Sequence, residues 1–254
     1  GSNLVIVGAA DGAREMSVVN SGRPGDRDVD ESTVFPIWSM SKPITIVAMM
    51  TLHEQGKFEW NDPVADYIPC FADLVVQDGD AIRPATKPLR IEHLMAHRSG
   101  WAYYSGWEDG VPNTNSIKNP VPPGYDRPHT NQTRFNDLQS YCEAIAQEPL
   151  AFEPGSSFLY GINQAILGRL VEVLSGLSFQ DYLTQTLFEP LEMVDTSFVM
   201  DAEKRSRFQP LWINSEHLKG YTYLLNELTY SPTSQAHFGG EGLVSTAADY
   251  ANFC

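Results

Sequence analysis

The stretch Trp38-Ser39-Met40-Ser41-Lys42-Pro43 runs directly into the apolar segment 44–52, and this pattern predicts a loop that enters a helix. Ser39 and Lys42 are three residues apart, and residues at that spacing share one face of a helix. A serine hydroxyl beside a lysine amine is a weak nucleophile with a base next to it. The first turn of a helix also offers backbone N–H groups without partners in the helix, and these stabilise developing negative charge. The stretch therefore predicts a buried central helix that carries a nucleophile and its base.

The spacing of Ser39 and Lys42 can also be a chance occurrence without a catalytic role. One S-x-x-K spacing arises by chance often enough in a chain of 254 residues to carry little weight by itself. Its context favours a catalytic pair, because no other serine in the chain precedes a lysine by three residues and segment 44–50 is too apolar for a surface helix. On these residues alone both interpretations remain open.

The composition excludes several classes of function. A chain of 254 residues with 42% hydrophobic content can bury a large core. Its 17 basic and 32 acidic residues give a net charge of −15, which repels nucleic acids and anionic membrane surfaces. No apolar run reaches the length of a bilayer span, and the three cysteines have neither disulfide nor metal spacing. We therefore expect no nucleic-acid partner and no membrane span.

The apolar pattern predicts a hairpin followed mainly by helices. Segments 3–8 and 15–19 flank an Asp11-Gly12 turn signal, which predicts a β-hairpin. Past the central helix, helical spacing and capping residues predict helices over 89–100 and over 136–147, the second with Asn136 as its cap. A helix over 166–174 is predicted to end at Gly176, and a Ser178/Asp181 capping box predicts the start of the next helix. A last helix is predicted from residue 249 onwards. Segment 237–246 predicts a glycine-rich turn with a short strand. Irregular structure is predicted before Asp80 and again after Pro190.

His93 and His97 are four residues apart in a helical segment, a spacing that can place two imidazoles on one metal ion. No third ligand accompanies them in the sequence, and this favours a structural role. We therefore predict no metal ion and no cofactor.

Segment 101–134 is rich in Trp, Tyr, Pro, Asn and Gly without periodicity, and this predicts a long loop. Its aromatic residues, Trp101 and Tyr103 among them, fit the wall of a substrate cleft. They also fit ordinary packing beneath a surface loop, and the sequence leaves both interpretations open.

A serine/lysine enzyme usually needs a further group to relay the proton, and Tyr160 is our candidate. It follows a Pro-Gly turn and directly precedes a helical segment. A single tyrosine is more often a packed core residue, so the assignment depends on the combination with Ser39 and Lys42. Other catalytic signatures, such as G-x-S-x-G, H-E-x-x-H and the Walker loop, are missing from the sequence.

Seven motifs follow one another along the chain. They are Ser39-Met40-Ser41-Lys42-Pro43, Gly56-Lys57 with Asp62-Pro63-Val64, I-E-H-L-M-A-H-R-S-G at 91–100, Phe152-Glu153-Pro154-Gly155, Tyr160, F-E-P-L-E-M at 188–193 and G-G-E-G-L-V-S-T-A-A-D-Y at 239–250. Their order resembles the serine β-lactamase-related hydrolases, which include class C β-lactamases, D-stereospecific peptidases and family VIII carboxylesterases. The S-M-[ST]-K-P form is most similar to the esterase-type members.

The resemblance implies a role for each site residue. Ser39 would be the nucleophile, Lys42 its base partner and Tyr160 a second base or proton relay. The backbone N–H of Ser39 would form half of an oxyanion hole. Substrate contacts are predicted at Ile162, Asn163, Trp101, Tyr103 and Gly240.

One departure from the family pattern bears on specificity. The family often has Y-x-N or Y-S-x, whereas this chain has Tyr160-Gly161-Ile162, with Asn163 one place later. An amide that helps to hold a β-lactam is therefore absent from its usual position. We expect a carboxylesterase that acts on small esters through an acyl-enzyme. The alternatives are a β-lactamase or a D-amino-acid-specific peptidase (DD-carboxypeptidase), and a non-catalytic penicillin-binding-like protein.

The resemblance implies an α+β fold, in which an α/β sandwich with an antiparallel sheet is joined to a mainly helical domain. We expect residues 1–254 to form one catalytic unit. Residues 1–60 and 235–254 would build the sheet-containing part with the Ser/Lys helix. Residues 61–234 would build the mainly helical part, with its long loop over 101–134.

In the resembling family, further strands follow the Gly-Gly-x-Gly-Leu segment, and one of them carries a third motif beside the nucleophile. This sequence ends at Cys254, soon after Gly242. A hairpin without further strands would expose an unpaired edge. We therefore expect the catalytic unit to be incomplete at its C-terminus, with the remaining strands supplied by a second polypeptide or lying outside these residues.

Overall fold

The computed structural model describes residues 4–10, 13–20, 22, 28–102, 135–209, 211–214, 222–225 and 235–254. Within these ranges the helices are α1 (Ser41–Glu54), α2 (Ile91–Met95), α3 (Leu138–Ile145), α4 (Asn163–Ser175), α5 (Phe179–Leu183), α6 (Ala202–Arg207) and α7 (Ala247–Phe253). The strands are β1 (Leu4–Ala10), β2 (Ala13–Val19), β3 (Phe35–Pro36), β4 (Val75–Asp78), β5 (Ala81–Pro84), β6 (Leu211–Asn214), β7 (Thr222–Leu225) and β8 (Val244–Ser245).

The described strands pair in antiparallel twos: β1 with β2, β3 with β8, β4 with β5, and β6 with β7. The predicted N-terminal hairpin is confirmed, with Leu4 opposite Val19 and Ala10 opposite Ala13. Its Asp11-Gly12 turn lies outside the described residues. Helices combined with short antiparallel ladders give the mixed α+β class that the sequence predicted.

The chain divides into two compact units. The first contains residues 1–39, 183–232 and 241–254, and the second contains residues 40–182 and 233–240. Within the second unit α1, α2 and α3 all pack against α4. Helix α1, which carries Lys42, therefore belongs with helices in this division and Ser39 belongs to the first unit, whereas the sequence grouped both with the sheet. The predicted domain boundaries stay a prediction, and the compact units divide the chain at other residues.

Helix α1 begins at Ser41, two residues after Ser39, which lies in the 3-10 turn Trp38–Met40. The helix ends before Gly56, whose φ of 67° is the left-handed conformation that glycine adopts readily. This C-terminal stop is the predicted one. The prediction of burial on every side was wrong, because Met50 is 48% exposed although Ile44 and Leu52 are fully buried.

Helix α4 is the centre of the second unit. Its Gly168 lies against neighbouring helices, since a Cβ there would come within 3.0 Å of Phe179 and 3.1 Å of Leu138. Gly176 ends the helix with φ 74° and its amide donates to the Glu172 carbonyl, as predicted. The cap by Ser178 of the following helix is also confirmed, because Ser178 Oγ accepts from the Asp181 amide at 3.1 Å, and the same hydroxyl donates to the Asp181 carboxylate at 2.7 Å.

Helix α3 begins one residue later than predicted. Asp137, and not Asn136, caps it by accepting a hydrogen bond from the Ser140 amide at 2.7 Å. Its apolar face is buried, as helical spacing indicated, through Leu138, Tyr141, Cys142 and Ile145.

The first unit contains the two-residue β3–β8 ladder. An apolar cluster of Val34, Met200, Phe208 and Val244 packs beside it. In the same unit the buried Asp249 carboxylate accepts hydrogen bonds from the Asp195 amide at 2.7 Å and from Thr196 Oγ1 at 2.9 Å. Helix α7 begins at a Thr246 cap, as the C-terminal helical pattern predicted.

Three regions that the sequence treated as irregular contain regular elements, namely the β4–β5 hairpin, helix α6 and the β6–β7 hairpin. The first strand of the β4–β5 hairpin buries only Val76, so its alternation is too short to stand out. Gly79, with φ 62°, supplies the turn between these strands. None of the described helices combines the length and the apolar character that crossing a membrane requires.

Candidate active site

Lys42 lies in the first turn of α1 and is buried at 9% exposure. Its Nζ donates a hydrogen bond to the Gly240 carbonyl at 2.6 Å. One turn further along α1, Thr45 Oγ1 donates to the Gly239 carbonyl at 2.7 Å. A Cβ at Gly239 would lie 2.5 Å from Thr45 Oγ1, so only glycine fits against this helix. The contacts of α1 with Gly239 and Gly240 therefore fix the position of the Lys42 amine.

Tyr160 lies beside this amine. Lys42 Nζ is 5.1 Å from the centroid of the Tyr160 ring. The ring is 46% exposed, in contrast to the buried lysine. The structure therefore brings together two of the three residues to which the sequence assigned catalytic roles.

The backbone at Tyr160 is tightly constrained. A Cβ on Gly161 would come within 1.8 Å of the Trp101 carbonyl oxygen. Only glycine allows the two backbones to approach this closely. The position of Tyr160 is thus tied to the chain at Trp101.

The sequence did not identify His97 as a neighbour of Tyr160. The His97 and Tyr160 ring centroids are 4.7 Å apart, and His97 Nδ1 accepts a hydrogen bond from the Gly161 amide at 3.1 Å. Burial and the positive charge of Lys42 lower the pKa of His97 from 6.5 to about 4. The sequence feature that could have identified this role is the H-R-S-G run that follows a short helical segment. In the sequence, His97 was considered only as one member of the His93/His97 pair.

The spacing of His93 and His97 does not place them on one helix. Helix α2 ends at Met95, and His97 has a left-handed backbone with φ 53°. His93 instead caps its own helix, where its Nδ1 accepts from the Arg90 amide at 3.2 Å. In the part of the chain that the structure describes, no group of three or more His, Cys, Asp or Glu residues could hold a metal ion.

Ser39 lies in the 3-10 turn directly before α1 and is exposed. Ser39 therefore lies outside the helix, whereas the sequence predicted it in the first helical turn. It still precedes Lys42 by three residues at the N-terminal end of the same helix. Its role as the nucleophile stays a prediction.

The predicted substrate-binding residues are mostly interior. Trp101 and Ile162 are 3% and 2% exposed, and Asn163 is fully buried with Nδ2 at 2.8 Å from His97 Nδ1. The Trp101 indole donates to the Glu148 carbonyl at 3.1 Å. Gly240 contributes its carbonyl to Lys42, and Tyr103 lies outside the described residues. Substrate contact by these residues stays a prediction, and burial does not favour it for Trp101 or Ile162.

Several characterised and uncharacterised proteins are similar to this chain in sequence. Protein Rv1367c of Mycobacterium tuberculosis is 29% identical over 240 residues, which are 92% of this chain and 55% of that protein. Esterase EstB of Burkholderia gladioli is 27% identical over 72% of this chain and 43% of its own length. A putative D-alanyl-D-alanine carboxypeptidase of Salmonella typhimurium is 28% identical over 66% of this chain and 34% of its own length. The chain thus spans about half the length, or less, of these relatives.

Solved structures have the same fold at lower identity. EstCE1, a hydrolase with promiscuous acyltransferase activity, gives a TM-score of 0.73 at 20% identity, covering 98% of this chain and 65% of that one. A class C β-lactamase gives a TM-score of 0.67 at 16% identity, covering 99% of this chain and 58% of that one. These similarities show a fold of the β-lactamase and penicillin-binding type.

The profile of one protein family matches almost the entire sequence. The match runs over residues 7–254 and the family is described as Beta-lactamase. It includes the turn with Ser39, the helix with Lys42, the Tyr160 turn and the glycine-rich segment at 239–242. The chain belongs to the Beta-lactamase family.

Proposed function

We propose that the whole protein is a serine hydrolase that works through an acyl-enzyme, and that its substrates are small carboxylic esters. The observation that carries this proposal is the placement of the Lys42 amine 5.1 Å from the Tyr160 ring, with Ser39 three residues earlier in the chain. The amine lies over the face of the tyrosine ring, and an amine and a phenol of one site can together accept and return one proton. The order of these residues matches the serine/lysine/tyrosine order of the family that the chain resembles.

The proposed reaction has two steps. In the first, Ser39 Oγ attacks the ester carbonyl carbon while its proton passes to the Lys42/Tyr160 pair. The tetrahedral intermediate then expels the alcohol, which takes that proton, and an ester bond between the acyl group and Ser39 remains. In the second step, water attacks this ester, the same pair carries the proton, and the carboxylic acid is released. The Ser39 backbone N–H donates to the oxyanion.

The contact between Lys42 and Gly240 supports this role for the lysine. The four-carbon side chain of a lysine loses conformational entropy when its amine is held at one position for a reaction. The hydrogen bond to the Gly240 carbonyl and the burial of the side chain fix the amine before substrate arrives. Catalysis gains from such fixed geometry, because no reorganisation is needed during the reaction.

Two observations favour an ester over a β-lactam as the substrate. Ile162 is a buried apolar residue at the sequence position where the family pattern often has an asparagine, and the Asn163 side chain contacts His97. In addition, one relative is named Esterase EstB and a structural neighbour is a hydrolase with acyltransferase activity. The runner-up is a D-alanyl-D-alanine carboxypeptidase or β-lactamase, which the names of other relatives support.

A fluorophosphonate probe tests the nucleophile. The protein in its full natural length is labelled, its intact mass is measured and the labelled peptide is mapped. We expect a single adduct on Ser39 that is lost in Ser39→Ala and kept in Ser41→Ala, the matched control two residues away. Labelling of Ser41 or of another serine, with Ser39→Ala unaffected, contradicts the assignment.

A substrate comparison tests the class of ester. We expect short-chain p-nitrophenyl esters to be cleaved much faster than a chromogenic cephalosporin, because position 162 lacks the amide that the family pattern often has there. Efficient cephalosporin turnover with negligible ester turnover would reverse the order of the two candidates.

A further inference from the structure

His97 contacts the chain on both sides of Tyr160. Its backbone carbonyl accepts a hydrogen bond from the Leu159 amide at 2.8 Å, and its ring Nδ1 accepts one from the Gly161 amide at 3.1 Å. The His97 and Tyr160 rings also face each other at 4.7 Å with an interplanar angle of 33°. One residue therefore holds the backbone before Tyr160, the backbone after it and the tyrosine ring itself.

The backbone conformation of His97 indicates that its imidazole has a role in the site. Its φ of 53° lies in the left-handed region, which glycine adopts without steric cost. Gly56 and Gly176 serve such turns elsewhere in the chain, with φ values of 67° and 74°. A turn that needed only this conformation would be served by glycine at position 97 as well. Because any side chain adds a steric cost in this conformation, the imidazole is the part of His97 that the site uses.

The neighbours of the ring decide where its proton lies. Nδ1 faces two donors, the Gly161 amide and Asn163 Nδ2 at 2.8 Å, so it must be the unprotonated nitrogen. Nε2 then carries the proton and faces the Gln164 side-chain amide at 3.2 Å. The oxygen and nitrogen of such an amide are assigned from their hydrogen bonds. In the present orientation of the amide, Gln164 Oε1 is buried without a hydrogen-bond partner. Rotating the Gln164 amide by a half-turn brings Oε1 to face the His97 Nε2–H group, and Oε1 then accepts a hydrogen bond from it.

We infer that His97 is a positioning residue, a neutral imidazole protonated at Nε2 that holds Tyr160 beside the Lys42 amine. It does not touch the reacting atoms, since both of its nitrogens contact protein groups. The effect on turnover rests on the proposed function, whereas the state of the ring does not. The two parts can therefore be tested separately.

A neutral ring suits this task. A proton on Nδ1 would remove the acceptor that the Gly161 amide uses, and it would place a second positive charge near Lys42. Because burial and the Lys42 charge lower the pKa of His97 to about 4, the ring keeps this acceptor at neutral and alkaline pH. The anchor at the Gly161 amide thus persists at neutral and alkaline pH.

Two substitutions of His97 separate its ring from its nitrogens. His97→Phe keeps a flat ring but removes both nitrogens, and we expect kcat on p-nitrophenyl butyrate to fall at least about tenfold while KM changes less than about threefold. His97→Asn tolerates a left-handed backbone and keeps a short acceptor, so it should recover part of the lost kcat. Wild-type kcat in a folded His97→Phe protein, or an equal loss in both variants, overturns the inference.

His53→Phe is the matched control. His53 is also half-buried, packs against Phe58 and Trp60, and has Nδ1 at 3.0 Å from the Phe58 carbonyl. It lies in the last turn of α1, at the opposite end of that helix from Lys42. We expect kcat close to that of the wild type, and a loss as large as that of His97→Phe counts against a specific role for His97.

Nitrogen-15 spectra of histidine-labelled protein test the ring directly, with the His97 signals assigned by their loss in His97→Asn. We expect a protonated Nε2, a bare Nδ1 and no titration between about pH 5.5 and 8. The opposite tautomer or an ordinary titration overturns the inference, even if His97→Phe does not fold. If the expected spectra accompany a wild-type protein that cleaves no ester, the proposed function fails while the assigned state of His97 stands.

Discussion

Each compact unit contains a cluster of buried polar side chains, and the two clusters differ in what they hold. The Asp249 cluster, in the first unit, consists of Asp249, Thr196, Ser245 and Thr246. The Asp249 carboxylate accepts from the Asp195 amide and from Thr196 Oγ1, whose hydroxyl also pairs with Ser245 Oγ at 2.7 Å. Every member is nearly inaccessible to solvent, so its hydrogen bonds only join segments of the chain.

The His97 cluster, in the second unit, consists of His97, Asn163 and Gln164 with the adjoining Lys42 and Tyr160. Its buried members surround a tyrosine ring that is 46% exposed. It also leaves Asn163 Oδ1 buried without a hydrogen-bond partner. The comparison teaches that one cluster contributes folding stability, whereas the other places an accessible group. Substitutions in the two clusters should therefore change different measured quantities.

The largest effect should come from Lys42→Met, which keeps the apolar stem and removes the amine. We expect kcat/KM on p-nitrophenyl butyrate to fall about 10²–10⁴-fold, because the acid–base unit loses one member. The melting temperature should change little beside this loss. A folded Lys42→Met protein with wild-type kcat/KM would remove the basis for the comparison.

Gly161→Ala should have the next largest effect. Its Cβ would come within 1.8 Å of the Trp101 carbonyl, so the chain at Tyr160 must shift. We expect kcat to fall by about 10²-fold, the size associated with a displacement of about 1 Å at a catalytic group. Gly176→Ala is the control, because its Cβ meets nothing within 4 Å and should lower stability without lowering kcat. Equal kinetic losses in the two variants would show that the effect is general.

Asp249→Ala should change stability and leave catalysis intact. It removes the acceptor of the buried Thr196 hydroxyl and of the part-buried Asp195 amide, and a buried donor left unsatisfied costs about 1–3 kcal/mol. The midpoint of urea unfolding should fall, while kcat/KM of the folded protein at 25 °C stays at the wild-type value. A fall in kcat/KM without a change in the midpoint would place the Asp249 cluster in the same class as the His97 cluster.

The smallest effect should be on the pH dependence of stability. Because the pKa of His97 is about 4 in the folded chain and 6.5 ordinarily, only the unfolded chain binds a proton at this residue between those values. Stability is therefore lost as the pH falls from 6.5 toward about 4. Burial also lowers the pKa of His93, which adds to this loss. His97→Asn should show a smaller decrease in melting temperature between pH 7 and pH 4.5 than the wild type; an equal decrease would mean that protonation of His97 is not the cause.

The sequence predicted the features that depend on local pattern. Apolar spacing indicated α1, and the left-handed glycines Gly56 and Gly176 marked helix ends, because only local backbone energy is involved. Lys42 and Tyr160 were also predicted to act together, first from the position of Tyr160 after a Pro-Gly turn and then from the order of motifs in a family resemblance. The helix start was misplaced by two residues, since nothing in Ser39-Met40-Ser41 distinguishes a 3-10 turn from the first α-helical turn.

His97 was missed because its role depends on contacts between distant parts of the chain. It lies 64 residues before Gly161 in sequence, and no periodicity links a ring nitrogen to a backbone amide at that distance. Its left-handed backbone is likewise a product of the turn after α2. The β4–β5 hairpin was missed for a different reason, because its strands are four residues long and acidic near the turn.

The burial of Lys42 has a consequence for the chemistry of the other amines. Lys57 and Lys87 are exposed, whereas Lys42 is 9% exposed and hydrogen-bonded to the Gly240 carbonyl. A bulky acylating reagent consumes exposed amines first, because it needs access to the nitrogen lone pair. The surface of the protein can therefore be acylated, tagged or immobilised through those lysines while the amine beside Tyr160 stays unmodified.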